Sequence, residues 1–140
     1  MVDNKIIDEI SRTKKGISIE KYINFCLFDS EGYYNNINPI GRLGDFITSP
    51  EISQLFGEIL GLYIYNIWKE NINNIFNLIE LGPGKGSLLL DILRITKPFS
   101  KFHKNININL VEINKSLINK QKQNFLSNKL GSFNIKWSSD

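Results

Sequence analysis

The stretch Phe-Asn-Leu-Ile-Glu-Leu-Gly-Pro-Gly-Lys-Gly-Ser at positions 76–87 constrains the fold more than any other part of the chain. Leu78, Ile79 and Leu81 form a short apolar run that ends at Gly82, and beyond it Leu89, Ile92 and Leu93 recur at helical spacing. That change of period predicts a buried strand, a tight turn and a helix start. Gly82, Gly84 and Gly86 have no Cβ, so the backbone can take positive φ and a ligand can approach the amides at the helix N-terminus. Such a turn suits a nucleotide-like cofactor.

Spacing narrows the choice. In a P-loop numbered from Gly84-Lys85, the first glycine falls at Ile79 and the residue after the lysine is Gly86, not Ser or Thr. The dinucleotide fingerprint places its third glycine at Ser87, a small residue that only partly serves the packing. What remains is Glu-x-Gly-x-Gly-x-Gly over positions 80–86, which resembles the first motif of class I methyltransferases. There S-adenosylmethionine lies over the turn and an acidic residue ending the next strand contacts the ribose hydroxyls. Here Ile-Asn-Ile-Asn-Leu-Val at 106–111 alternates apolar and polar residues and is followed by Glu112, about thirty residues beyond Gly82 against roughly 20 in dinucleotide sites. The connection over 98–105 absorbs the excess. A glycine turn of this kind also serves as a bare strand–helix connection. Glu80 argues for a site, because a carboxylate in an apolar strand is costly unless it faces the crevice at the strand's C-terminal end.

With 140 residues, of which 41% are hydrophobic and 11% aromatic, the chain can build one core. The net charge of +3 is spread without a basic stripe or aromatic interleaving, so no nucleic-acid partner is expected. One cysteine, Cys26, excludes an internal disulfide and reads as a small core residue, and one histidine, His103, gives no metal-ligand cluster. A reducing compartment follows. No segment has the apolar length of a membrane span, and the first residues resemble neither a secretory signal nor a transit peptide.

Upstream of the turn, Val2, Ile6, Ile7 and Ile10 share a helical face that stops before Gly16, and Ser18 opens a second short helix bearing Ile19, Tyr22, Ile23 and Leu27. Residues 29–47 lose periodicity and gather Gly32, Tyr33, Tyr34, Pro39, Gly41 and Gly44, a long functional loop. Thr-Ser-Pro-Glu at 48–51 fits either a capping box from Thr48 to Glu51 or an N-cap at Ser49 with Pro50 following. The helix is expected to run to about Lys69 with Ile52, Leu55, Phe56, Ile59, Leu60, Tyr63 and Ile67 inward, and with Gly57 and Gly61 as a bare patch for close packing. Downstream, Leu117, Ile118, Phe125 and Leu126 mark a helix, and Phe133 to Trp137 a last strand whose apolar edge is expected to be exposed.

Two ordered motifs, Gly-Asp-Phe-Ile-Thr-Ser-Pro-Glu at 44–51 and Glu-Leu-Gly-Pro-Gly-Lys-Gly at 80–86, together resemble the MidA family, the mitochondrial complex I assembly arginine methyltransferases and their bacterial relatives. Gly32-Tyr-Tyr34, Val111-Glu-Ile113 and Trp137 extend the match over most of the chain. The resemblance implies the N-terminal portion of a class I, Rossmann-like α/β sheet: a helical segment over 1–74 and an incomplete S-adenosylmethionine-binding domain over 75–140. It implies that Glu80, Gly82, Pro83, Gly84 and Gly86 line the methionine and adenosine portions and that Glu112 takes the ribose. Asp45 and Glu51 are then the candidate catalytic carboxylates for orienting an arginine guanidinium. An alternative for Glu51 is its own helix cap, and for Asp45 a turn.

By the same resemblance the substrate is a protein arginine, in animals on a complex I subunit, and the location is the bacterial cytoplasm or the mitochondrial matrix. A class I sheet has more strands than the three legible here. The chain is therefore expected to be a piece of such an enzyme, inactive alone, with a following segment or a partner chain supplying the missing strands. The rival reading is a non-catalytic cofactor-binding or assembly module acting through a protein partner.

Overall fold

The computed structural model describes residues 2–36, 44, 45, 47–130 and 133–139. They fall into two compact units, Met1–Ile47 and Thr48–Asp140. The division lies well before the expected boundary at residue 74, because the long helix that precedes the first strand packs with the sheet unit.

The first unit contains α1 (Val2–Thr13), α2 (Ile19–Ile23) running into a π-helical turn over Asn24–Phe28, and the short α3 (Tyr33–Asn36). Ser18 caps α2, its hydroxyl accepting from the Lys21 amide. Helix α1 ends at Thr13, and Lys14 beyond it takes φ 56°, two residues before the glycine expected to stop the helix. None of the residues of α1, α2 or the π-helical turn is buried. Ion pairs tie the unit instead: Lys5 with Asp29, and Glu9 with both Arg12 and Lys21. Of the loop expected over 29–47, Pro39, Gly41 and Phe46 lie outside the described residues, and Tyr33 and Tyr34 belong to α3 rather than to irregular chain.

The second unit opens with α4 (Ser49–Ile52), breaks at Ser53 (φ −146°), and resumes as α5 (Gln54–Ile67), which a π-helical turn extends over Trp68–Ile72. The break is stable because the Ser53 hydroxyl caps the new helix by accepting from the Leu55 amide. Then follow β1 (Phe76–Leu81), α6 (Ser87–Ile95), α7 (Ser100–Asn105), β2 (Ile106–Val111), α8 (Lys115–Ser127) and β3 (Ile135–Ser138). The three strands form one sheet in the order β1-β2-β3, all parallel, with Phe76 opposite Ile106 and Leu110 opposite Trp137.

One sheet face carries Phe76, Leu78, Ile106, Ile108 and Leu110 into a core with Trp68, Leu89, Leu93, Phe102 and Phe125. The connection over 98–105 is not slack. Its helix α7 drives Phe102, fully buried, into that core, where the ring meets Trp68, Phe76 and Tyr65 edge-on or tilted.

Helix α5 is turned relative to the expectation from hydropathy. Gly57 and Gly61 face α6 so closely that a Cβ at 57 would lie 2.5 Å from the Asp91 Cβ, and one at 61 would lie 2.7 Å from Ile95. Ile52, just before α5, and Leu55, Phe56, Ile59, Tyr63 and Ile67 on it are exposed. The glycine patch is the packing device expected of it, and it forms the contact face itself. The last strand differs too: Phe133, Ile135 and Trp137 are half-buried against the core, and the exposed apolar residues of the sheet are Ile79 and Leu81 of β1.

Candidate functional site

Parallel strands of an α/β sheet place a crevice outside their carboxyl ends. Glu80 lies at that end of β1 and Glu112 immediately follows β2, so register alone brings both carboxylates and the glycine turn to one place. The turn continues the ladder for one bond, Gly82 N–H donating to the Val111 carbonyl at 2.9 Å. Gly82, Gly84 and Gly86 all take positive φ, 64°, 56° and 80°. Gly86 is the N-cap of α6 and has no side chain with which to satisfy the first amides of that helix.

Helix α8 fixes the turn from behind. Gln121 Nε2 donates to the Gly84 carbonyl at 2.8 Å, and Asn124 Nδ2 donates to the Lys85 carbonyl at 3.0 Å. The Phe125 ring packs so tightly on Gly86 that a Cβ there would lie 2.7 Å from it. By contrast a Cβ on Gly82 would meet nothing within 4 Å, so the outer side of the turn is open.

Glu112 is 7% exposed and held at both oxygens: Oε1 accepts from the Asn114 amide at 2.9 Å and Oε2 from Gln121 at 3.5 Å. Each oxygen keeps a further lone pair for a hydroxyl donor. Glu80 is different. Among the described residues its carboxyl makes no hydrogen bond or ion pair, and burial pushes its pKa up to about 7. A neutral or half-ionised carboxyl of this kind suits a cationic neighbour, which would restore its charge.

Glu51 does not close a capping box. The Thr48 hydroxyl makes no cap bond, and the Glu51 side chain reaches across to the glycine turn, with Oε2 accepting from Lys85 Nζ at 3.1 Å and Oε1 from the Ser87 hydroxyl at 2.5 Å. Burial alone raises its pKa, but the bonds from Ser87 and Lys85 outweigh that and hold it below the ordinary glutamate value. Asp45 belongs to the first compact unit, where its carboxylate accepts the Tyr33 hydroxyl. That bond pushes the Tyr33 phenol up to about 12. The two proposed catalytic carboxylates therefore stand in separate units, each with a partner of its own. Pro83 is buried within the turn.

Sequence reasoning missed the Glu51–Lys85–Ser87 linkage and the part played by Gln121. For Gln121 a signal existed: it occupies the inward stripe of α8 between Leu117 and Phe125, and a polar residue in such a stripe needs buried partners. Glu51 is legible as a cap residue and, by resemblance, as a candidate catalytic carboxylate, but its link to the turn is not, because its partners lie more than thirty positions away. Among the described residues no group of three or more His, Cys, Asp or Glu side chains could hold a metal ion.

An open parallel sheet with a glycine turn after its first strand and a buried acid after its second defines a Rossmann-like site for an adenosine-bearing cofactor. Residues 59–140 match the family described as "Putative S-adenosyl-L-methionine-dependent methyltransferase". The chain belongs to that family of S-adenosyl-L-methionine-dependent methyltransferases, within which the resemblance to MidA-type proteins holds.

Among curated relatives, the mitochondrial protein arginine methyltransferase NDUFAF7 of Bos taurus is 46% identical over 105 residues, 72% of this chain and 24% of that protein. The Drosophila melanogaster homolog is 40% identical over 111 residues, 78% of this chain and 25% of its own length. The Xenopus laevis protein is 37% identical over 124 residues, 86% of this chain and 28% of its own. The chain thus spans about a quarter of the curated relatives it matches. A crystal structure from Burkholderia thailandensis bound to S-adenosyl-homocysteine superposes with a TM-score of 0.81 at 20% identity, covering 99% of this chain and 37% of that one, which shows the shared fold.

Proposed function

We propose that this chain forms the cofactor-binding part of a protein-arginine methyltransferase. The observation that carries the reading is the pair of carboxylates, Glu80 unpaired among the described residues and Glu112 held by hydrogen bonds, that register brings to a turn whose outer side is open at Gly82. When bound, S-adenosylmethionine supplies an activated methyl group on a sulfonium.

The chain's own residues have the following parts. Gly82, Pro83, Gly84 and Gly86 would line the cofactor with the backbone of the turn, which is open at Gly82 and backed by Phe125 at Gly86. Glu112 takes the ribose hydroxyls with its remaining lone pairs. Glu80 would face the methionine portion, whose positive charge would favour its ionised form. Glu51, with both oxygens engaged by Lys85 and Ser87, holds α4 to the turn. Methyl transfer to a guanidinium nitrogen also calls for a carboxylate to align it and accommodate the lost proton, because the transfer depends on in-line positioning. Asp45 is the residue proposed for this.

By resemblance and by the mitochondrial names of its relatives, the acceptor is inferred to be an arginine of a complex I subunit in the mitochondrial matrix, or its bacterial counterpart in the cytoplasm. The described edge of β1 opposite β2 supports further strands, and the exposed Ile79 and Leu81 support an element over that face, from the same polypeptide or a partner chain.

Calorimetry of the full-length protein with S-adenosylhomocysteine tests the cofactor assignment, and binding in the micromolar range or tighter is expected. Failure to bind, or preference for NAD, refutes it. Single-turnover transfer from labelled cofactor to an arginine peptide tests the rest. Asp45→Asn is expected to lower the rate about 10²-fold with cofactor affinity unchanged. A normal rate in that variant removes Asp45 from the chemistry.

A further inference from the structure

The side chain of Gln121 is fully buried on α8, and its amide bonds to three different elements. The indole Nε1–H of Trp137, on β3, donates to Gln121 Oε1 at 2.8 Å. An indole nitrogen can only donate, so this bond determines which way the amide faces. The amide nitrogen is thereby turned toward the site, where it donates to the Gly84 carbonyl at 2.8 Å and to Glu112 Oε2 at 3.5 Å. One neutral amide spans the glycine turn, the acid after β2 and the edge strand.

From this we infer that Gln121 is a positioning residue for cofactor recognition, set by Trp137, and that it acts by holding Glu112 in the rotamer that receives the ribose diol. The inference rests on the reading that Glu112 takes the ribose. Without Gln121 the carboxylate keeps one fixed oxygen, on the Asn114 amide, and its second oxygen is free to turn. A carboxylate held at both oxygens has given up its rotational freedom before the ligand arrives, which favours a ligand offering two correctly spaced hydroxyls over one offering a single hydroxyl. The same amide pins the Gly84 carbonyl, so the turn and the acid keep a constant separation.

The test uses the full-length protein in four forms, wild type, Gln121→Met, Gln121→Glu and Trp137→Phe, each titrated with S-adenosylhomocysteine and with its 2′-deoxy analogue, with thermal melts in parallel. Methionine keeps length and volume but donates nothing. Glutamate keeps the acceptor for Trp137 but sets a second carboxylate against Glu112. Wild type is expected to prefer the ribose ligand about tenfold or more. In Gln121→Met and Gln121→Glu that preference falls to about twofold or less, and in Trp137→Phe it falls part of the way.

A residue that only props the fold lowers the melting temperature and weakens both ligands equally, so an unchanged ratio overturns the inference. Should the Gln121 variants fail to fold, Trp137→Phe decides, and an unchanged ratio there overturns it as well. Wild type that binds neither ligand removes the cofactor reading and the inference together. Wild type that binds both ligands equally removes the ribose role of Glu112, and with it the inference, while leaving cofactor binding in place.

Discussion

Along β2, Ile106, Ile108 and Leu110 point to one sheet face and are 5%, 1% and 0% exposed, while Asn107, Asn109 and Val111 point to the other and are only half-buried. Along β1 the contrast takes another form. Phe76 and Leu78 join the core, but the opposite face carries Ile79 at 60% and Leu81 at 76% exposure. These two lie beside Asn109 and Val111 in the register. Helices α5 to α8 and their extensions contribute core residues to the first face, and none of the cluster lies on the second. Strand β2 is therefore patterned for burial on one side, whereas β1 is apolar on both, as strands of doubly covered parallel sheets are. The difference teaches that β1 is written for a neighbour over its second face and that β2 needs it less.

The largest expected effect is on the covered face. Leu110→Ala removes a fully buried side chain from beneath α6 and α8, and is expected to cost about 2–5 kcal/mol, read as a fall in the denaturant midpoint with unchanged slope. A cost below about 1 kcal/mol would mean that the core relaxes and that the two faces differ less than their burial suggests.

Next comes the site end of that face. Gly86→Ala forces a methyl group against Phe125 and is expected to cost about 1–3 kcal/mol, whereas Gly82→Ala meets open space and suffers only the backbone strain of its positive φ, about 1 kcal/mol. The order inverts for the ligand. Gly82→Ala is expected to weaken S-adenosylhomocysteine binding at least tenfold, because its methyl group stands where the cofactor approaches, and calorimetry beside melts separates the two effects.

Glu80 shares the covered face and gives it a pH dependence. Burial raises this carboxyl from its ordinary 4.5 to about 7, so the folded protein keeps the proton over a range in which the unfolded chain has released it. The stabilisation is complete below 4.5 and is lost as pH rises through about 7. Melts from pH 4 to 8 are expected to show Glu80→Gln without this fall, and parallel curves for the two proteins would show that the carboxyl is solvated after all.

The smallest effect is on the open face. Ile79→Asn is expected to change stability by less than about 0.5 kcal/mol in the 140-residue chain. The equivalent substitution in a relative that carries the complete sheet sharpens the comparison, since a cost of about 2 kcal/mol or more there identifies a covering element over β1.

The strands, the glycine turn and Glu112 were legible because each depends on a local signal, namely alternation, a change of period, and a carboxylate ending an apolar run. The three expected strands lie over 76–81, 106–111 and 135–138. Helix α7 was illegible because six residues containing two lysines, a histidine and an asparagine carry no periodicity, and Phe102 alone supplies its anchor. The break at Ser53 was hidden inside an apolar pattern that continues through it. The bonds of Glu51 to Lys85 and Ser87 and of Gln121 to Gly84 cross more than thirty positions, and a sequence pattern reports neighbours in the chain, not neighbours in space.

The seam between α5 and α6 has a consequence for mutational tolerance. At position 57 any side chain meets Asp91, and at 61 the backbone of Ile92 and the side chain of Ile95, so every substitution of Gly57 or Gly61 must push the helices apart. Helix α5 will therefore show, in a complete substitution scan, intolerance at its two smallest residues and leniency at Leu55, Ile59 and Tyr63, the reverse of what a hydropathy profile ranks as important. Isolates of this protein carrying Ser or Thr at 59 or 63 are expected to keep their stability to within about 1 kcal/mol, whereas a change as slight as glycine to alanine at 57 acts on the spacing of the two helices and, through α6, on the turn at its N-terminus.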